Sequence, residues 1–252
     1  MVDRLTVLAA TSMIDAAMLH DSDQIVDDLA PSAVDKSLTC TSAPELVLPE
    51  FTGTPRWKRS LDLVGSIVLL ALLSPILIAI GLYIKLVSRG PIFYTQSRMG
   101  AGGEYFVIFK FRTMRQDGAA EQKHRDYVES LTDSDAAAEK PDYQDRLIVG
   151  GEFLRSHSLD ELPQLFNVLI GNMSLVGPRP EVLHLEDYPQ WQLRRFEVLP
   201  GMTGLWQTSG KNRLSFTRMV ELDIEYIDRR SLLLDLLLLW KTIAVVVFSD
   251  NE

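Results

Sequence analysis

The sequence predicts an α+β fold, mostly helical, with a membrane helix, one small β-hairpin and interfacial helices around a helix that begins near Asp160. Three observations lead there. An uncharged apolar stretch runs from Leu63 to Tyr83, long enough to cross a bilayer, which takes ~20 residues. Residues 91–115 alternate apolar and polar side chains on either side of Gly100-Ala101-Gly102-Gly103, the pattern of two strands and a turn. From Ser215 to Phe248 apolar residues recur at helical spacing.

At 252 residues the chain can bury one main core and carry appendages. Its net charge of −9 is unevenly placed. Residues 1–50 hold nine of the 34 acidic side chains and two of the 25 basic ones, leaving 25 against 23 in the rest. They read as an acidic, mostly disordered leader with a short helix near 5–19. Residues 51–252 read as the membrane-anchored domain. The leader does not read as a signal peptide, because Asp15 interrupts the apolar run after Arg4 and no small-residue cleavage site follows. Cys40 is the single cysteine, which excludes a disulfide framework and points to a reducing compartment.

The apolar stretch is flanked by Arg56, Lys58 and Arg59 before it and by Lys85 and Arg89 after it. Basic flanks favour the cytoplasmic side, so both ends favour the same face. Ser74-Pro75 falls near the middle, where a proline removes a backbone hydrogen bond and kinks a helix. A re-entrant helix over residues 60–87 that dips in, breaks at Ser74-Pro75 and returns satisfies both facts. An ordinary kinked transmembrane helix satisfies the length. Either form needs Ser74 or a neighbour to satisfy the carbonyl that Pro75 frees.

In the second expected strand Lys110 and Arg112 share a face, two residues apart. With Arg98 near the turn they can converge on a diphosphate. Residues 85–115 carry Lys85, Arg89, Arg98, Lys110, Arg112 and Arg115 against Glu104 alone, an excess suited to an anionic ligand or lipid surface. A solvated charged face is the alternative. Residues 116–146 read as a helix and a mobile loop. Gly204 and Gly210-Lys211 do not make a phosphate loop, since five residues separate the glycines and Asn212 follows the lysine. In the tail, Asp235 and Lys241 interrupt the apolar runs, which suits helices lying on a membrane surface. Packed core helices are the rival reading.

Residues 156–181 hold the chemistry. Asp160 and Glu161 stand where an amphipathic helix begins, and the rigid Pro178-Arg179-Pro180 loop follows it. A helix N-terminus favours ionised carboxylates by ~0.3–1 kcal/mol. An ionised aspartate there can attack phosphorus or hold a divalent cation. Ser158-x-x-Glu161 is equally a capping box, and Pro163 argues for a later start, nearer Asp160. Residue physics leaves both readings standing.

A wider set of motifs adds to this. Lys58-Arg-Ser-Leu-Asp62, Ser74-Pro75, Gln96-Ser-Arg-Met-Gly100 and Phe109-Lys-Phe-Arg-Thr-Met114 come first. Leu154-Arg155 through Pro180 and Leu199-Pro-Gly-Met-Thr-Gly-Leu-Trp-Gln207 complete it. Over residues 56–248 the sequence resembles the monotopic phosphoglycosyl transferases, bacterial sugar transferases that begin polysaccharide assembly on polyprenyl phosphate. Asn172 departs mildly, since an acidic residue is common there in the family.

The resemblance implies a re-entrant membrane helix, a site facing the cytoplasm at the bacterial inner membrane, and Mg2+ held by Asp160. It implies that Asp160 attacks the β-phosphorus of a UDP-hexose, UDP-galactose or UDP-glucose, and expels UMP. Undecaprenyl phosphate then takes the sugar phosphate from the aspartyl intermediate. Glu161 completes the catalytic dyad, and Arg179, with Lys110, Arg112, Arg98 and Arg155, is expected at the substrate phosphates. Membrane lipid is an expected partner and nucleic acid is not; a homodimer and downstream glycosyltransferases of exopolysaccharide synthesis are candidates. The alternatives are a non-enzymatic membrane scaffold of a polysaccharide assembly complex and a phosphate hydrolase. Deleting residues 1–50 is expected to leave catalysis intact, as read by the turnover of the truncated protein; a large loss would make the leader part of the site.

Overall fold

Thirty-two consecutive residues, Arg56–Val87, form one helix, α1, roughly 48 Å long at 1.5 Å per residue. The structure is a computed structural model that describes residues 47–51, 53–115, 146–209 and 214–248. The expected helix near 5–19, nearly all of the loop over 116–146 and the Gly210-Lys211 segment lie outside the described residues. Pro75 cannot donate to the carbonyl of Ala71, and the Ser74 hydroxyl donates to that carbonyl instead, at 2.9 Å. The helix therefore continues through Ser74 and Pro75. Helical backbone persists where the sequence led to the expectation of a break. The lost bond is replaced locally, and one buried stripe anchors both ends. Lys58, Asp62 and Ser66 are buried near its start, Ile80, Gly81 and Ile84 near its finish. The opposite face is apolar and exposed, with Val64, Ile67, Val68, Leu72, Ile78 and Leu82 outward. Among the described residues, α1 alone is long and apolar enough to cross a membrane, by length and composition.

The alternation at 91–115 yields the expected hairpin. Strand β1 (Phe93–Met99) runs antiparallel to β2 (Tyr105–Phe111), with Tyr94 opposite Lys110. The turn between them places Gly102 and Gly103 at φ of 66° and 79°, a conformation that glycine adopts without Cβ strain. Then come a short helix α2 (Gly151–Ser156), a 3₁₀ turn (Leu159–Glu161) and α3 (Gln164–Ile170). Asn167 fastens α3 to the hairpin by acting as a strand edge. Its Oδ1 accepts from Phe109 N at 3.0 Å, and its Nδ2 donates to Val107 O at 2.6 Å. Lys110 is thereby held beside the 3₁₀ turn.

A second, two-stranded sheet was not anticipated. Strand β3 (Ser174–Val176) runs parallel to β4 (Gly201–Thr203). Gly201 N donates to Pro178 O and Gly177 N to Thr203 O, each at 2.8 Å. A Cβ on Gly201 would fall onto the Gly177 backbone, so glycine permits the close approach that anchors the start of the Pro-Arg-Pro loop. A 3₁₀ segment (Gln190–Glu197) lies between these strands in the chain. The chain ends in α4 (Phe216–Arg229) and α5 (Leu232–Phe248), both within the tail read as helical. The main core joins Ile108 of β2, Leu165 and Val168 of α3, Val176 of β3, Tyr226 of α4 and Leu238 of α5. Leu69, Leu70 and Leu73 of α1 pack on it.

Helices α1 and α5 are inside-out. Asp235, 0 % exposed, faces inward, while Leu233, Leu236, Leu237, Trp240 and Ile243 face out. Asp235 Oδ2 pairs with Lys58 Nζ at 2.7 Å, and its Oδ1 accepts from the Tyr226 hydroxyl at 2.8 Å. Lys58 also donates to Val176 O at 2.8 Å. Asp62 accepts from Ser174 Oγ and Leu175 N, each at 2.9 Å. What looked like an interruption of an apolar helix is half of a buried ion pair. Losing one partner of such a pair strands the other charge, at a cost of ~3–5 kcal/mol. Lys58→Ala is therefore expected to lower the unfolding temperature of the detergent-solubilised protein markedly, whereas Lys241→Ala, on the exposed side of α5, leaves it unchanged.

Candidate active site

Asp160 and Glu161 occupy the 3₁₀ turn, four and three residues ahead of α3. Ser158 precedes them in the left-handed region, φ 55°, and its side chain makes no capping bond. The capping box is therefore not formed. Glu161 is turned away from the backbone and into an ion-pair cluster. Its Oε1 receives Lys110 Nζ at 2.9 Å and Arg179 Nη2 at 2.7 Å, and Oε2 receives Arg179 Nη1 at 3.3 Å. The seven-residue α3 starts beyond the dyad, so its dipole is not what governs these carboxylates, contrary to expectation.

Burial and neighbours govern them, in opposite directions. Burial opposes ionisation of Glu161, but Arg179 and Lys110 outweigh it and hold the carboxyl well below the usual range. The Glu161 charge in turn raises the Arg179 value. Asp160 is 9 % exposed. Burial, then the Glu161 charge, push its carboxyl up, against the pull of Lys110, Arg155 and Arg179. No donor among the described residues bonds the Asp160 carboxylate. One carboxylate is thus committed to ion pairs that favour its charged form, and its neighbour is uncommitted. Paired carboxyl groups driven apart in this way are how one site separates two chemical roles. Lys110 is itself lowered by burial, with Glu161 opposing.

The five expected cationic residues divide. Lys110 and Arg179 meet at Glu161. Arg155, on α2, donates to Met114 Sδ at 3.1 Å and lies within electrostatic reach of Asp160. Arg98 is buried; it donates to Gln96 Oε1 at 2.8 Å and to Pro180 O at 3.1 Å, gripping the loop rather than presenting a free fork. Arg112 is not brought to the dyad. Strand β2 ends at Phe111, and the Arg112 fork is spent on Pro91 O, Arg89 O and Ser88 between α1 and β1. The shared-face expectation for Lys110 and Arg112 assumed a strand one residue longer.

Sequence reasoning missed Asn167, Arg195 and Asp223. Arg195, 4 % exposed, donates to Arg179 O and to Asp223 Oδ2, each at 2.8 Å. The one available signal was a cation set between Leu193 and Phe196 in an otherwise apolar rhythm.

Among the described residues no three His, Cys, Asp or Glu side chains cluster as a metal cage. The donor set still fits Mg2+. That ion keeps several waters and takes one or two carboxylates together with substrate phosphates. Asp160 provides such a carboxylate; Glu161 provides one only by giving up its ion pairs.

A carboxylate dyad beside an arginine loop suits a group-transfer enzyme, and two helices with outward apolar faces suit membrane association. The bacterial sugar transferase family matches residues 54–249. The exopolysaccharide production protein ExoY of Rhizobium meliloti is 38 % identical over 225 residues, 86 % of this chain and 99 % of that protein. A UDP-glucose:undecaprenyl-phosphate glucose-1-phosphate transferase of Caulobacter vibrioides is 40 % identical over 238 residues, 89 % of this chain and 80 % of its own. An undecaprenyl-phosphate glucose phosphotransferase of Komagataeibacter xylinus is 40 % identical over 77 % of this chain and 36 % of its own. The chain belongs to the bacterial sugar transferase family. It is an enzyme, a phosphoglycosyl transferase.

The depressed Glu161 value has a measurable sign. A carboxyl depressed in the fold contributes stability above its unfolded value of about 4.3, lost as pH falls through the folded value. Acidification from about pH 5 to about pH 3 is expected to lower the unfolding temperature of the wild type more than that of Glu161→Gln. Equal falls would remove Glu161 as an acid-sensitive element.

Proposed function

We propose that the enzyme transfers a hexose 1-phosphate from a UDP-sugar to undecaprenyl phosphate and releases UMP, through a covalent phospho-sugar intermediate on Asp160. The observation that carries this is the uncommitted, buried Asp160 carboxylate beside a Glu161 saturated by Lys110 and Arg179. A carboxylate already hydrogen-bonded by two cations is a poor nucleophile, whereas an uncommitted, partly desolvated one is a strong nucleophile.

An Asp160 oxygen attacks the β-phosphorus and the bond to the α-phosphate oxygen breaks. UMP leaves with that electron pair. A phosphate oxygen of undecaprenyl phosphate then attacks the same phosphorus and returns the Asp160 carboxylate. Arg179 and Lys110, preset by Glu161, face the charge that develops on the transferred phosphoryl oxygens, and Arg155 adds charge near Asp160. Mg2+ held by Asp160 would neutralise diphosphate charge when bound.

The sugar is glucose or galactose. The Caulobacter and Komagataeibacter relatives are named for glucose, and an Erwinia amylovora relative, 39 % identical over 77 % of this chain, for UDP-galactose. The ExoY relatives point to exopolysaccharide synthesis.

The outward apolar faces of α1 and α5 support monotopic attachment to the cytoplasmic leaflet of the inner membrane. An apolar outer face over a polar inner stripe suits lipid and not water. The polyprenyl tail stays in that leaflet while its phosphate reaches the dyad.

UMP release by purified protein in nanodiscs tests the reading, with magnesium, undecaprenyl phosphate and a panel of UDP-sugars. Release is expected with one hexose and is expected to vanish in Asp160→Asn, which remains membrane-bound. Retained turnover in that variant would remove Asp160 as the nucleophile, and no release with any sugar would favour the scaffold.

A further inference from the structure

The loop that carries Arg179 is held from behind. Its side chain reaches forward to Glu161, while its backbone carbonyl accepts from Arg195 Nη2 at 2.8 Å. The next carbonyl, that of Pro180, accepts from Arg98. Arg195 is itself fixed on three sides. Its Nη2 also meets Asp223 Oδ2 at 2.8 Å, its Nη1 donates to the Tyr188 hydroxyl at 3.3 Å, and its guanidinium lies 5.7 Å from the Tyr188 ring centroid. Asp223 is 1 % exposed on α4, and Tyr188 is 3 % exposed.

A buried Arg-Asp pair is usually explained as a contribution to the fold. Two features go beyond that. The pair alone needs no bond to the loop, yet one Nη2 serves both the Asp223 carboxylate and the Arg179 carbonyl. A gap of about 10 Å³, room for about one water, also lies along the loop, lined by Pro178, Arg179, Pro180, Arg195 and Phe196 among others. The polar bonds therefore act together with this packing to set the loop's place. Glycine cannot relax it either, because Gly177 is pressed against Gly201.

We propose that Arg195 is a positioning residue of the transfer reaction: its bond to the Arg179 carbonyl, aligned by Asp223 and Tyr188, sets where the Arg179 guanidinium meets the substrate diphosphate. This rests on the reading of Arg179 as a phosphate ligand. A shift of about 1 Å at a reacting group costs on the order of 100-fold, so the anchor matters without touching substrate. Burial pushes the Asp223 carboxyl up to about 7 against the pull of Arg195.

The test uses the full chain in nanodiscs and two readouts: kcat and KM for UMP release, and the Kd of UDP with magnesium. Arg195→Lys keeps a cation for Asp223 but loses the planar fork. It is expected to keep its unfolding temperature within a few degrees, to lower kcat/KM about 10- to 100-fold and to weaken UDP binding. If it does not fold, Tyr188→Phe removes one alignment bond and is expected to show a smaller loss of the same kind. Either change, combined with Arg179→Ala, is expected to be no worse than Arg179→Ala alone, because Arg195 acts through Arg179. Losses that multiply, or a folded Arg195→Lys with unchanged kcat/KM and UDP affinity, would overturn the proposal. If the wild type released no UMP with any sugar, the transfer reaction would fall; UDP affinity that still dropped with Arg195→Lys, non-additively with Arg179→Ala, would uphold the anchor.

Discussion

Glu161 is the point on which the site depends. It draws Lys110 from β2 and Arg179 from the Pro-Arg-Pro loop onto one carboxylate in the 3₁₀ turn. Three segments far apart in the chain meet there, and each is secured from another direction. Asn167 fixes the hairpin, the β3–β4 pair fixes the start of the loop, and Arg98 and Arg195 fix the loop's carbonyls. Bidentate pairing with arginine adds geometry as well as charge. The consequence falls on Asp160, which is left uncommitted because its neighbour has taken the nearest cations.

Substrate charge fits this arrangement. In the proposed reaction a diphosphate with a divalent cation would meet a cluster of two cations and two carboxylates that is close to neutral. Both cations are partly exposed, with side chains 16 % and 29 % accessible, and can lean from Glu161 toward phosphate oxygens. In the proposed reaction that exchange of partners would place stabilisation where charge develops during transfer.

The membrane-facing side obeys a different rule. In α1 and α5 the charged Lys58, Asp62 and Asp235 face inward while much of the outward surface is apolar, the reverse of a helix on a water-soluble domain. The buried Lys58–Asp235 pair ties the start of one to the start of the other, against Val176 and Tyr226 of the main core. One body therefore carries both the apolar surface and the dyad, which keeps a reacting phosphate near the plane in which its lipid lies.

Much of this was legible in the residues. Alternation around a glycine cluster predicted the hairpin, because strand periodicity is local. The uncharged run predicted α1, and Ser74 did satisfy the carbonyl that Pro75 frees, although the helix then continued where a break was expected. Asp160, Glu161 and Arg179 stood out through their motif. Other features were not legible, and the reasons are physical. Strands of three residues, such as β3 and β4, are too short to show a period. Asp235 looked like an interruption because its partner, Lys58, is 177 positions away. Arg112 was assigned to the site by a two-residue rhythm that stops where β2 stops. The sequence by itself determined the elements, the apolar surfaces and the reactive residue types, since those follow from local pattern and side-chain chemistry. Only the tertiary structure decided which charges neutralise one another, since pairing depends on distances that the chain order does not encode.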